Sequence, residues 1–223
     1  MSSLAERYAA VIADVAVAAT GAGRDPAAIT TIVVTKFHPA SLVRELASFG
    51  AHDVGENRHQ EASAKAAELA GLDLRWHFVG QLQANKAAAA LEYASVVHSV
   101  DRASLVDAIE KTGKPVEVFI QLNLTDDPNR GGVHESELEA LATRILASEQ
   151  IVLRGLMAVA PLGAEPRVAF ARVRAVSERL LRVAPAASDL SMGMSGDYRE
   201  AILEGATHLR IGTAITGNRP PQG

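Results

Sequence analysis

The segment TIVVTKFHP, residues 31–39, places a lysine where a buried strand is expected to end. β-Favouring residues lead towards Lys36, and Pro39 prevents the strand from continuing. One interpretation is a surface charge whose stem lies along the strand end while its ammonium group stays in water. The other is a reactive amine beside apolar walls, because loss of hydration lowers the pKa of a lysine and the free amine then attacks aldehydes.

Two segments later in the chain have the composition of phosphate-binding loops. SMGMSGDYREAI carries Ser195 and Gly196, and LRIGTAITG carries Gly212 and Thr213. Small residues let backbone N–H groups approach an anion, and helix N-termini add a favourable dipole. Gly and Ser also suit ordinary turns, but the two segments together favour phosphate. A ligand with an aldehyde at one end and a phosphate at the other would satisfy both these loops and Lys36. Pyridoxal 5'-phosphate (PLP) and phosphorylated aldoses are such molecules.

The elements that would position these residues alternate between short apolar runs and longer helical patterns. The predicted strands span residues 31–36, 52–57, 75–80, 96–101, 116–124, 153–160, 189–194 and 208–213. Repetition of strand and helix indicates parallel strands joined by crossovers. With an amphipathic helix before the first strand, the pattern predicts an α/β fold, a single (β/α)8 TIM barrel with an extra N-terminal helix, forming one domain over residues 1–223. An open doubly wound sheet is the rival, although no GxGxxG opens a first βα turn.

In such a barrel, functional groups lie at the carboxyl ends of the strands. The residues at the predicted ends are Lys36, Glu56, Asn57, Gly80, Gln81, Asp101, Asn123, Met157, Ser195, Arg210, Gly212 and Thr213. The residues before them are mainly Val, Ile, Leu and small residues, so an apolar barrel with a polar site on one rim is expected. His77, on the third predicted strand, is expected to be an interior histidine with its hydrogen bonds satisfied.

The composition argues against several classes of function. A net charge of −4 without a basic block is unlike that of nucleic-acid-binding proteins. The absence of cysteine excludes disulfides and thiolate metal sites, and is compatible with a cytoplasmic protein. The seven histidines indicate no metal site. No run approaches the roughly 20 apolar residues of a membrane span. Glu6, Arg7 and Asp14 interrupt the first apolar pattern, which favours an amphipathic helix over an export signal.

Several motifs, in order along nearly the whole chain, resemble those of the PLP homeostasis proteins, which are relatives of the N-terminal barrel of alanine racemase. They are VVTK with Lys36, GENRHQE at 55–61, WHFVGQLQANK at 76–86, HSVDR at 98–102, IQLNL at 120–124, RGLMAV at 154–159, LSMGMSGD at 190–197 and LRIGTAITG at 209–217. The most specific of these are WHFVGQLQANK and SMGMSGD.

The resemblance implies that PLP is the cofactor. The matching motifs imply that Lys36 forms an aldimine with PLP and that Ser195, Gly212 and Thr213 bind its phosphate. They also imply that Arg210 faces the pyridine nitrogen and that Asn57 and Met157 lie beside the ring. Family members are regarded as carriers or regulators of PLP without an established reaction. The resemblance therefore implies no catalytic residue, a monomer, and PLP-requiring apo-enzymes as partners.

Two positions depart from the family's pattern. His38 stands where a second lysine often follows the first, and Arg130 stands where a lysine often precedes the glycine of the loop at 126–132. Two other functions remain open, a small PLP-dependent amino-acid racemase and a phosphosugar lyase or isomerase that uses a lysine without a cofactor. A racemase needs a second acid/base, which alanine racemase takes from a tyrosine of a second domain. This chain is expected to have no such domain, and Tyr198 is its tyrosine expected nearest the site.

Overall fold

The strands of the chain close into a parallel barrel. The computed structural model describes residues 2–125, 127 and 130–218. The strands are β1 Thr30–Val34, β2 Asp53–Glu56, β3 Arg75–Phe78, β4 Ala94–Val100, β5 Val116–Gln121, β6 Ile151–Met157, β7 Asp189–Ser191 and β8 His208–Ile211. Each strand pairs with the next, and β1 pairs with β8 from Thr30↔His208 to Val33↔Ile211, which closes the ring. The predicted (β/α)8 TIM barrel is confirmed, and the open doubly wound sheet is excluded.

Helices connect successive strands, and one further helix precedes β1. They are α1 Leu4–Gly21, α2 Ala40–Ser48, α3 His59–Glu68, α4 Ala87–Ala90, α5 Ala103–Glu110, α6 Leu138–Leu146, α7 Pro166–Val183, α8 Tyr198–Leu203 and α9 Thr213–Thr216. Short 3-10 helices lie at Pro26–Ala28, Ala84–Lys86 and Glu135–Glu137. The extra helix α1 begins with a capping box, in which Ser3 Oγ accepts from the Glu6 N–H and the Glu6 carboxylate accepts from the Ser3 N–H. Within the described ranges, no helix has the length and apolar character needed to cross a membrane.

The strands end earlier than the sequence pattern predicted. β1 ends at Val34 rather than at Lys36, and β5 ends at Gln121 rather than at residue 124. The N–H groups of Thr35 and Leu122 still donate to the carbonyls of Gly55 and Met157 on the neighbouring strands, and the residues that follow form the loops of the carboxyl rim. Leu122 and Leu124 continue the apolar pattern of β5 past its last residue, so composition alone overestimates the length of that strand.

The interior of the barrel is polar, which corrects the expectation of an apolar barrel. Buried side chains that point into it include His77, His98, Ser191, His208 and Arg210. Nearer the amino ends of the strands, Arg75 Nη2 lies 2.7 Å from Glu117 Oε2, and Arg154 Nη2 lies 2.7 Å from Asp189 Oδ2. The aliphatic residues instead form the layer between the outer face of the barrel and the helices. Strand residues alternate between two faces, so a run rich in Val, Ile and Leu does not reveal what the intervening positions carry.

Helix α1 is tied to the elements that follow β7 and β8. Arg7 Nε donates to the carbonyl of Ile215, on α9, at 2.7 Å. The Asp14 carboxylate accepts from Arg199, on α8, at 2.6 and 2.7 Å. The first helix therefore supports the two short helices that stand at the rim after the last strands.

Candidate functional site

Lys36 lies in the turn that follows β1, at the carboxyl rim of the barrel. Its side chain is exposed, and its Nζ stands 5.9 Å from the centroid of the Phe37 ring. The Arg58 guanidinium stands over the same ring at 5.3 Å. Among the described residues, apolar walls do not enclose this lysine, which agrees with the first of the two interpretations, an ammonium group that stays in water at a strand end. Its amine is instead open to a ligand that approaches the rim.

A buried group of side chains holds this turn in place. Lys65 Nζ, from α3, donates to the carbonyl of Thr35 at 2.9 Å and to Glu56 Oε1 at 2.6 Å. The Thr35 hydroxyl donates to the same carboxylate oxygen at 2.7 Å. Phe37 has a φ of 68°, a left-handed conformation that is costly for a residue with a Cβ, and its N–H donates to Glu61 Oε2 at 3.2 Å. The turn is thus fixed on both sides of the lysine.

Sequence reasoning missed the role of Lys65. Burial raises the pKa of Glu56, and the hydrogen bonds from Lys65 and Thr35 oppose that shift. From the sequence of α3 alone, Lys65 is expected to be an ordinary solvent-facing residue. The available signal was its spacing of four residues from Glu61, which places both side chains on one face of the helix.

The loops after β7 and β8 meet close to the lysine turn. Gly212 packs against Val34, and a Cβ on this glycine would stand 3.6 Å from the Val34 Cβ. Ser195 Oγ accepts a hydrogen bond from the Ala214 N–H at 3.2 Å, which joins the two loops. Among the described residues, the backbone N–H groups of Ser195 and Thr213 have no acceptor. Unpaired donors grouped in this way fit an anion.

The helix dipole contributes little here, which corrects part of the phosphate prediction. α8 has 6 residues and α9 has 4, so neither builds a substantial macrodipole. Attraction for an anion rests on the individual N–H and hydroxyl donors of the loops. Gly193 forms the bend before the first loop with a φ of 94°, and a Cβ there would stand 2.7 Å from the Ala201 Cβ. Glycine is therefore required at this bend.

Arg210 is buried beneath the rim and rigidly held. Its Nη1 donates to Ser191 Oγ at 2.7 Å, and its Nη2 donates to the carbonyl of Ala158 at 2.9 Å. Burial lowers the pKa of Arg210 to about 10, against the opposing charge of Asp197, so the guanidinium stays charged at neutral pH. These hydrogen bonds leave further guanidinium N–H donors for a ligand.

Asn57 and Met157 come from strands on opposite sides of the ring, β2 and β6. Asn57 directly follows β2, and its Oδ1 is buried with no hydrogen-bond partner in the described part of the chain. A buried polar atom without a partner is costly, so this amide is available to a ligand. Met157 ends β6, is buried, and packs against Val96 and Phe119 inside the barrel.

Other polar residues at the strand ends hold loops together. Asn123 Nδ2 donates to the carbonyls of Asp127 and Arg130 at 3.0 and 3.1 Å. Asp101 Oδ2 accepts from the Gly132 N–H at 3.4 Å. Residues 126, 128 and 129 of the predicted loop at 126–132 lie outside the described residues. Asn123 and Asp101 therefore organise the loop after β5.

His38 does not replace the charge of the second lysine that the family often carries. Its side chain is buried, and burial lowers the pKa of His38, with further lowering from the charges of Lys65 and Arg7. The imidazole is therefore neutral near pH 7. The interior role predicted for His77 is confirmed, since Nε2 lies 2.8 Å from Asp53 Oδ1 and Nδ1 makes a second hydrogen bond inside the barrel.

Tyr198 does not offer its hydroxyl to the site. The hydroxyl donates to Asp14 Oδ2, on α1, at 2.6 Å. Burial raises the pKa of Tyr198, and the hydrogen bond to Asp14 raises it further. This phenol serves the contact between α8 and α1, so the geometry does not support the racemase alternative, in which Tyr198 is the tyrosine expected nearest the site.

The residues on the rim fit a ligand with an aldehyde and a phosphate. Because β1 and β8 are neighbours, the turn with Lys36 and the donors at Ser195 and Thr213 lie on the same part of the rim. Arg210 adds a rigid cation beneath them, and Asn57 adds an unpaired amide.

The sequence profile of the alanine racemase N-terminal domain matches residues 14–220. The closed barrel with a lysine after its first strand thus defines a protein of that class. A pyridoxal phosphate homeostasis protein of Pseudomonas aeruginosa is 42% identical over 226 residues, which cover 98% of this chain and 97% of that protein. One of Corynebacterium glutamicum is 40% identical and covers 88% of this chain and 93% of its own. Among solved structures, PipY of Synechococcus elongatus with PLP bound has a TM-score of 0.85 at 36% identity, and the match covers 96% of this chain and 100% of PipY. The chain belongs to the pyridoxal phosphate homeostasis protein family.

Proposed function

We propose that this protein binds PLP at the carboxyl rim of its barrel and acts in PLP homeostasis rather than in a reaction of its own. The observation that carries the proposal is the joining of the loops after β7 and β8, through Ser195 and Ala214, next to the turn that bears Lys36. The relatives named for PLP homeostasis and the PLP-bound structure of PipY support the same ligand.

Each residue has a role that its surroundings support. When bound, PLP supplies an aldehyde that condenses with an amine. Lys36 supplies that amine from its exposed position on the rim. Ser195, Gly212 and Thr213 hold the phosphate through hydroxyl and N–H donors. The ring contacts fall to Arg210 at the pyridine nitrogen, with Asn57 and Met157 beside the ring.

A racemase is less well supported. Enzymes that use the ring fully as an electron sink keep its nitrogen protonated with a carboxylate partner. Arginine can only donate, so Arg210 leaves that nitrogen unprotonated and the ring a poorer electron sink, which alone still permits racemisation. A second acid/base is also needed, and the Tyr198 hydroxyl is engaged with Asp14. The relatives are named for homeostasis, not for a reaction.

We further propose that the chain acts as a single domain over residues 1–223, as a monomer, in the cytoplasm, where it supplies PLP to apo-enzymes. The continuous barrel and the absence of cysteine support the first and third of these proposals.

Borohydride reduction of the PLP-loaded protein, followed by peptide mass analysis, tests the assignment. The cofactor mass should remain on the peptide that contains Lys36. Lys36→Ala should abolish the label and the yellow colour, whereas Lys111→Ala, an exposed lysine after α5, should keep both. A label that maps to another lysine, or a protein that stays colourless with PLP, contradicts the proposal. The second result favours a cofactor-free lysine enzyme.

A further inference from the structure

A continuous chain of hydrogen bonds crosses the interior of the barrel from its amino end to the site. Asp53 Oδ1 lies 2.8 Å from His77 Nε2, and His77 Nδ1 lies 2.9 Å from His98 Nε2. His98 Nδ1 lies 2.8 Å from Ser191 Oγ, which also accepts from Arg210 Nη1 at 2.7 Å. The chain uses residues of β2, β3, β4, β7 and β8, and it crosses the lumen between β4 and β7.

The two ends of this chain differ in their contact with water. His98 and Ser191 are fully buried, and Arg210 is 5% exposed. Asp53, the first residue of β2, has a side chain that is 25% exposed at the amino end of the barrel. The chain therefore joins a partly hydrated carboxylate at one mouth of the barrel to a buried cation beneath the opposite rim.

The chemistry of the two ends fixes the direction of every hydrogen bond between them. Arginine can only donate, and an ionised carboxylate can only accept. Burial favours the protonated form of Asp53, but the hydrogen bond from His77 and neighbouring positive charges bring the pKa of Asp53 below its ordinary value. Burial lowers the pKa of both His77 and His98, which keeps the two rings neutral. Each ring then donates through Nε2 and accepts through Nδ1, and the Ser191 hydroxyl donates to His98.

The pairing of charged side chains inside the barrel also singles out Asp53 and Arg210. In the described part of the chain, the charged groups of the lumen are Arg75, Arg154, Arg210, Asp53, Glu117 and Asp189. Arg75 is paired with Glu117 and Arg154 with Asp189, at 2.7 Å in each case, and Arg154 Nε also lies 3.4 Å from Glu117 Oε2. Within this set, one carboxylate and one guanidinium remain, and they are the two ends of the chain.

Two further groups face the chain. His208 lies beside His98, with ring centroids 6.3 Å apart, and its Nδ1 is 2.8 Å from Thr207 Oγ1. Asp197, in the loop after β7, acts on Arg210 through its charge while its carboxylate accepts from the Met194 N–H. Asp197 is thus the rival counter-ion.

We propose that Asp53 is the counter-ion of Arg210 and that His77, His98 and Ser191 are positioning residues that hold its guanidinium beneath the pyridine ring. The link to the ring rests on the proposed PLP site. Since arginine keeps its protons, the chain passes none to the ligand. It acts as a fixed row of dipoles that stabilises a buried cation from the far side of the barrel.

The first experiment needs no cofactor. Nitrogen-15 NMR of the histidine rings in the protein without PLP should show His77 and His98 neutral at pH 7, each protonated on Nε2. Ser191→Ala should move the Nδ1 resonance of His98, because that nitrogen loses its donor. Ser99→Ala, a buried serine on β4 whose hydroxyl has no partner among the described residues, should leave it in place. Asp53→Asn should move the His77 resonances, and Asp197→Asn should not. A charged ring, or a proton on Nδ1 of either ring, overturns the proposal.

The second experiment measures the affinity for PLP and the absorption spectrum of the bound cofactor. Ser191→Ala should weaken PLP binding by about tenfold, as expected for loss of an acceptor from a charged donor, and should shift the absorption maximum of the bound cofactor. Asp53→Asn should change the PLP affinity and the absorption maximum in the same directions by smaller amounts. Ser99→Ala should match the parent protein in both quantities. A parent-like spectrum and affinity in Ser191→Ala and Asp53→Asn overturn the proposal. Failure of the parent protein to bind PLP at Lys36 refutes the proposed function instead, while the NMR result on the chain still stands.

Discussion

Lys65 Nζ lies 2.6 Å from Glu56 Oε1, and both side chains are buried behind the turn that carries Lys36. The ammonium group also donates to the carbonyl of Thr35, the residue directly before that lysine. This buried ion pair thus fixes the backbone from which Lys36 projects. Loss of one partner leaves the other as an unpaired buried charge.

Lys65→Met is expected to lower the free energy of unfolding by about 3–5 kcal/mol, because Glu56 then remains as an uncompensated buried carboxylate. The double variant with Glu56→Gln should recover much of this loss. Urea unfolding followed by circular dichroism measures both. Arg44→Met, which breaks an exposed ion pair with Glu68, is the control and should cost less than about 1 kcal/mol. A loss as small in Lys65→Met as in the control would contradict the structural role of the buried pair.

Ser195→Ala and Thr213→Val are each expected to weaken PLP binding by about tenfold or more, since each removes a hydroxyl from the proposed phosphate site. Titration with PLP, followed by absorbance, gives the affinities. The matched control is Thr143→Val on α6, whose hydroxyl donates within its own helix to the carbonyl of Glu139. Affinities equal to that of the parent protein in both site variants would place the phosphate elsewhere.

The free energy of unfolding is expected to fall as the pH is lowered from about 6.5 towards 4. Burial lowers the pKa of His208 from 6.5 to about 4, with Asp189 opposing the shift. Between these values the unfolded chain binds a proton that the folded protein does not, so stability present above the unfolded pKa is lost on acidification. For this group alone the loss is about 3 kcal/mol. Urea unfolding between pH 7 and pH 4 should show a shallower decline in His208→Gln, while His52→Gln, at an exposed ring, should follow the parent protein. Parallel curves for His208→Gln and the parent would refute this assignment.

Alanine and serine are expected to keep their α-hydrogen in deuterated buffer, apart from trace exchange. A missing acid/base group typically costs 10²–10⁴-fold, and the Tyr198 hydroxyl is bound to Asp14. Mass spectrometry and chiral analysis of the amino acids measure exchange and racemisation. Tyr198→Phe should leave PLP binding unchanged, because its hydroxyl faces α1. Multiple turnovers per second that disappear in Lys36→Ala and in Tyr198→Phe would identify the protein as an enzyme.

The architecture was readable from the sequence because strand and helix signals alternate without interruption. The lengths of the strands were less accurate. Leu122 and Leu124 continue the apolar pattern of β5, although that strand ends at Gln121. The ladder of hydrogen bonds runs one residue beyond β1 and β5, through the N–H groups of Thr35 and Leu122. Apolar composition indicates that a residue is buried, and residues in the rim loops of a closed barrel are partly buried too, so composition does not mark where a strand ends.

The sequence predicts a site residue only where its position next to a strand determines its place in the barrel. The placement of Lys36 after β1 and of Ser195 after β7 follows from the order of elements. The exposure of Lys36, the clamp by Lys65 and the attachment of Tyr198 to Asp14 depend on helices packed from other parts of the chain. The polar chain through the lumen was missed as a whole, since hydrogen bonds between β4 and β7 have no signature in either strand alone.

The pairing of β1 with β8 has a consequence for the order in which the protein is made. These strands are neighbours in the barrel, yet every other strand is synthesised between them. At about 5–20 residues per second, roughly ten seconds or more separate the synthesis of Lys36 from that of Thr213 on the ribosome. During that interval β1 has an open edge, and Lys36 does not yet have the loops after β7 and β8 beside it. The rim that carries the proposed PLP site is therefore incomplete while the chain is being translated, and it is completed in the same event that closes the ring.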